Sequence, residues 1–150
     1  MALFIPSFEG YWTYQSFLVL PTPPELAAPP GSAVTAKKWA MGKLLLAEAG
    51  DNMEAAGQLT FQPGVELKIH VTFVPGKDGS PAKFEATGRG ESGPTAGAVY
   101  ELAGWAIPDA SGQLSEVRGS VRAVRGPDGN PVVELGRMPV NTVGAFVITK

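Results

Sequence analysis

Gly10-Tyr11-Trp12-Thr13-Tyr14-Gln15-Ser16-Phe17 sets four aromatic rings into eight positions directly behind a glycine. Tyr, Trp, Thr and Phe suit a pleated, half-buried surface, so the stretch reads as the opening β-strand. Alternation puts Trp12, Tyr14 and Ser16 on one face and Tyr11, Thr13, Gln15 and Phe17 on the other. A strand with rings on both faces makes contacts on both, and other strands can assemble against it. Which face points inward is left open.

Working outward, apolar runs alternate with turn residues along the whole chain. Val65 to Val74 is the cleanest, with Leu67, Ile69, Val71 and Phe73 on one face and Glu66, Lys68, His70 and Thr72 on the other. Further strands are expected at Lys37–Glu48, Met53–Phe61, Ala82–Glu91, Ala98–Ile107, Gln113–Arg125 and Asn141–Thr149, with a short segment at Val132–Leu135. Lys37–Glu48 is rich in Ala, Leu, Lys and Glu, and a short helix is its alternative. In Phe84, Ala86, Gly88 and Gly90, small residues at every second position mark a sharp bend or a close approach by another group. Pro21 to Gly31 carries five prolines and reads as a polyproline-like loop, either a lid or a plain surface crossing. Met1 to Glu9 is an apolar lead-in.

Eight strands joined mainly by short turns predict an all-β fold: one domain over 1–150, an eight-stranded antiparallel up-and-down barrel. A β-sandwich is the alternative. Closure removes the exposed sheet edges that invite aggregation. Glycine and proline supply 19 and 14 of the 150 residues, in keeping with many turns.

Composition bounds the function. The net charge of −2 argues against a nucleic-acid partner, and Arg118, Arg122 and Arg125 read as solvated strand cations. No cysteine is present, so disulfides and thiolate sites are excluded, as fits a cytoplasmic protein. No apolar run has the roughly 20 residues of a helical membrane span, and the N-terminus lacks a basic leader. Charged residues are only 17% of the chain, and so light a surface charge favours a homo-oligomer.

Gly10-x-Trp12 with this strand order resembles the calycin group of lipocalins, fatty-acid-binding proteins and avidins. The resemblance implies a cup with Trp12 plugging its closed end and a small apolar ligand above. It departs in strand eight, which lacks an arginine to pack over Trp12; Arg122 or Arg137 is the substitute. The start and the Val143 to Ile148 end also resemble an uncharacterised group of small bacterial β-proteins.

A barrel of eight strands either fills with side chains or holds one small ligand. Trp12, Tyr14, Ser16, Trp39, Tyr100 and Trp105 are the candidate ligand-binding residues, unless the rings simply fill the core. Tyr14 and Glu101 are the candidate catalytic residues. Glu101 shares a face with Val99, Ala103 and Trp105; inside, burial would raise its pKa, whereas outside it would pair with an arginine such as Arg118. His70, the single histidine, is either exposed or a base or haem ligand. No metal-ligand spacing is visible, and no cofactor is expected. Gly88-Arg89-Gly90 with Gly93 matches a dinucleotide fingerprint only in letters, since no helix follows. The expected function is the binding of a small apolar or aromatic molecule in the barrel. A cofactor-independent isomerase or cyclase, as in allene oxide cyclase-like barrels, and a structural or oligomeric partner are the alternatives.

Overall fold

The computed structural model describes residues 10–18, 37–48, 53–77, 81–126, 132–133, 138–139 and 143–150. The strands are β1 (Gly10–Leu18), β2 (Lys37–Glu48), β3 (Glu54–Gln62), β4 (Val65–Val74), β5 (Ala82–Arg89), β6 (Val99–Pro108) and β7 (Leu114–Arg125). They are followed by two short strands, β8 (Val132–Val133) and β9 (Met138–Pro139), and by β10 (Val143–Thr149). Each of β1 to β6 pairs antiparallel with the next, β10 pairs with β7, and β10 closes the ring on β1. Tyr14 lies opposite Ile148 and Ser16 opposite Phe146 across that seam. The fold is therefore an eight-stranded closed up-and-down barrel, and the sandwich alternative is overturned. β8 and β9 form a separate two-stranded ribbon.

Lys37–Glu48 is strand, not helix, because its backbone is paired on both sides, to β1 and to β3. Helix propensity is a weak prior, and two ladders of hydrogen bonds override it. In β4 the alternation is realised in full: Val65, Leu67, Ile69, Val71 and Phe73 are buried, while Lys68 and His70 are exposed. Among the described residues no helix is long and apolar enough to cross a membrane. The lead-in at 1–9, the proline-rich loop at 21–31 and Arg137 lie outside the described residues.

The interior is built around a chain of rings. Tyr14 stacks on Phe146 with centroids 6.1 Å apart, Phe146 meets Phe84 at 5.7 Å, and Phe84 meets Phe73 edge-on at 5.7 Å. Phe146 and Phe84 stand in one register row on either side of Gly119 and Gly104, which face each other on β7 and β6. Those two glycines are required by close approach. A Cβ on Gly104 would lie 2.2 Å from the Arg118 carbonyl oxygen, and one on Gly119 would lie 2.0 Å from that of Ala103. The rings of neighbouring strands cover the space the two glycines leave empty.

Both ends of the interior mix large and small inward residues. Toward the start of β1 lie Trp12, Leu46, Phe73, Leu114 and Ile148 together with Ala55, Ala82 and Ala106, all buried. Toward the end of β1 lie Ser16, Ala40, Gly88, Ala123 and Gly144 together with Phe61, Val65, Leu67 and Tyr100. Ala40, Phe61 and Tyr100 at this end, and Met53 at the other, are only partly buried.

Candidate functional site

β1 turns its Trp12–Tyr14–Ser16 face inward, since Trp12 is 2% exposed, Tyr14 4% and Ser16 2%. The other face carries Tyr11, which is 70% exposed. Trp12 is buried where β1 begins. Lys150 Nζ lies 5.2 Å from the centroid of its ring, and Arg122 faces outward from β7, bound to Glu101.

Tyr14, Ser16 and Tyr100 converge toward the opposite end. The Tyr14 phenol shares a hydrogen bond with Ser16, whose Oγ donates to the Ala40 carbonyl at 3.5 Å. Burial pushes the Tyr14 phenol up to about 12, the Ser16 bond offsets part of that rise, and the nearby Tyr100 adds to it. Burial also raises the Tyr100 phenol. Both groups therefore stay protonated near neutral pH, able to donate hydrogen bonds but not to act as bases. Phe61 meets the Tyr14 ring edge-on at 6.5 Å and completes an aromatic wall. Phenols and a hydroxyl set among rings and small residues supply the few convergent polar groups that orient an otherwise apolar ligand.

Two expected site residues are elsewhere. Glu101 faces outward and receives a hydrogen bond from Arg122 Nη2 at 2.8 Å, so its carboxylate is not inside the barrel with Tyr14. Its inward-facing expectation is corrected, and its partner is Arg122, not Arg118, which binds Glu116 at 3.0 Å. Trp105 follows the same face and is 49% exposed. The reason is the parity of β6: Leu102 and Ala106 are its buried residues, so positions 101, 103 and 105 must point out. Trp39 lies on β2, and its side chain is outside the described residues. His70 is exposed on β4, opposite the buried stripe.

The chain matches no known protein family, no curated protein and no solved structure.

One feature of the outer wall escaped the sequence. An open groove of about 520 Å³ crosses the faces of β4 to β7 and reaches β10, lined by His70, Glu85, Glu101, Ser120 and Arg122 among others. Each of these reads in sequence as an ordinary solvated strand residue, and only the register brings them together. The available signal was the pair of small outward residues, Ala103 and Ser120, each flanked two positions away by long side chains. Among the described residues no group of carboxylates and histidine could hold a metal ion.

Proposed function

We propose that the protein binds a small apolar or aromatic molecule in the end of the barrel bordered by Ser16, Phe61 and Tyr100. The observation that carries this reading is the convergence of Tyr14, Ser16 and Tyr100 beside the ring contacts of Tyr14 with Phe61 and Phe146. The rings would supply affinity through buried apolar area, and the phenols would fix orientation by donating hydrogen bonds. Kinship with the calycin barrels belongs to the same reading and is supported by the closed eight-stranded order and by the burial of Trp12 near the start of β1.

A catalytic version of this site, an isomerase or cyclase, would depend on Tyr14 as a proton donor without help from Glu101. Protonation of a buried phenol is the observation in its favour. A homo-oligomer would use a different surface, where exposed Tyr11 and Leu45 lie opposite each other on β1 and β2 with exposed Met41 nearby.

The test is a titration with an environment-sensitive apolar dye, comparing the unaltered protein with Ser16→Phe. A ring at position 16 projects into the proposed ligand volume. Saturable one-to-one binding, lost in the variant while its unfolding remains cooperative, is the expected result. Equal binding by both proteins would place the dye elsewhere and sink the proposal.

A further inference from the structure

The outer groove has a definite physical cause. Ala103 and Ser120 are register partners on β6 and β7, and with Ala145 beyond them they form a row of short outward side chains. The next row toward the end of β6 is Lys83, Trp105 and Arg118, in register across β5, β6 and β7. The row on the other side is His70, Thr87, Glu101 and Arg122. A trough of small residues thus runs across the strands between two tall ridges. The ridges are braced: Arg122 binds Glu101 at 2.8 Å, and Lys83 Nζ lies 6.0 Å from the Trp105 ring. Glu85 stands at the β5 end of the trough floor, opposite Ala103.

The chemistry of the lining selects a ligand class. Glu85 and Glu101 are acceptors, Arg122 is a donor, and the Thr72, Thr87 and Ser120 hydroxyls can do either. An anion would meet the Glu85 and Glu101 carboxylates, and a cation would meet Arg122. Mixed donors and acceptors of nearly balanced charge best match an uncharged molecule that carries both functions on every edge, a hydroxyl-rich one. The exposed Trp105 indole stands two residues beyond Ala103 on the same face, outside the residues that line the groove, with Lys83 Nζ over its ring. The volume of about 520 Å³ lies inside the range of small-molecule sites, and the open side leaves room for a chain to continue.

We infer that this trough is a second binding site, independent of the barrel interior, for a neutral saccharide held across β5, β6 and β7 by Glu85, Thr87, Glu101, Ser120 and Arg122. It needs nothing from Tyr14 or Ser16 and stands whether or not the interior binds a ligand.

The test is an amide-resolved NMR titration of the full chain with neutral cello-, xylo- and malto-oligosaccharides, with glucose 6-phosphate as the charged comparison. The inference predicts saturable shifts at Thr87, Ala103 and Ser120 with at least one neutral sugar. Ser120→Trp fills the trough from an outward position and should weaken binding at least about tenfold. Glu101→Gln keeps the shape, removes a charged acceptor and should also cost about tenfold, the worth of one charge-assisted hydrogen bond. Because position 101 is exposed, the second variant keeps the test decisive if the first unfolds. No shift in the trough with any neutral sugar, binding of the phosphate alone, or shifts unchanged in Glu101→Gln would overturn the inference.

Discussion

Replacing Tyr14 with Phe should make the protein less stable at neutral pH and more stable in strong alkali. The phenol titrates at about 12 in the folded chain, against an ordinary value of 10.0. The folded state therefore holds its proton where the unfolded state has released it. A raised pKa contributes stability that is fully present below pH 10 and is lost as pH rises toward 12. Two pKa units amount to roughly 2.7 kcal/mol in all, of which about 2 kcal/mol is lost by pH 11.5. Phe at this position has no such dependence, but it forfeits the Ser16 hydrogen bond, worth about 1 kcal/mol. The variant should be the weaker protein by about 1 kcal/mol near pH 7 and the stronger by a similar amount near pH 11.5. Tyr100 shifts in the same direction in both proteins, so the difference between them isolates Tyr14. Urea unfolding at a series of pH values measures this directly. Parallel stability curves with no crossing would mean that the phenol is solvated, and the inward assignment of the Trp12–Tyr14–Ser16 face would fail.

Gly104→Val should abolish cooperative folding or cost well over about 3 kcal/mol, since its Cβ would lie 2.2 Å from the Arg118 carbonyl oxygen; a well-folded variant by circular dichroism would refute the close pairing of β6 and β7. Lys150→Ala should cost only about 0.5–1 kcal/mol, the worth of a cation over an indole, and should shift tryptophan emission; an unchanged melting curve and spectrum would place Lys150 away from Trp12. Asp109 accepts hydrogen bonds from the Ser111 N–H at 2.8 Å, the Ser111 hydroxyl at 2.6 Å and the Gln113 N–H at 3.1 Å, which hold its carboxyl below the ordinary value. Its contribution is therefore present above the unfolded carboxyl pKa and lost as pH falls through the lowered value, so Asp109→Ala should flatten part of the acid limb of stability; an unaltered limb would contradict that role.

The architecture was legible because strict alternation leaves little choice. β4 alternates polar and apolar faces from Val65 to Phe73, with exposed Val74 the one apolar residue on the outer face, and its bounds, Val65–Val74, coincide with the expected strand. β2 was ambiguous because Ala, Leu, Lys and Glu favour helix locally, and only pairing on both sides decides against it. β6 misled for another reason. It has aromatic or apolar residues on both faces, Tyr100 and Leu102 inside and Trp105 outside, so alternation does not reveal which parity is buried. Glu101 was drawn toward the interior by apolar neighbours that are inward while it is not. β1 carries rings on both faces too, and its parity emerges only from the contacts of Tyr14 with Phe61 and Phe146. The groove was invisible in the sequence, since its lining comes from five strands and depends on their relative register.

The most direct test of the central claim is native mass spectrometry of the freshly isolated protein and of Ser16→Phe, after loading with a panel of small apolar and aromatic compounds. A one-to-one complex with at least one compound, and its absence in the variant, are expected. A protein that takes up none of the compounds, or one whose complex survives Ser16→Phe unchanged, would show that the barrel interior is a filled core.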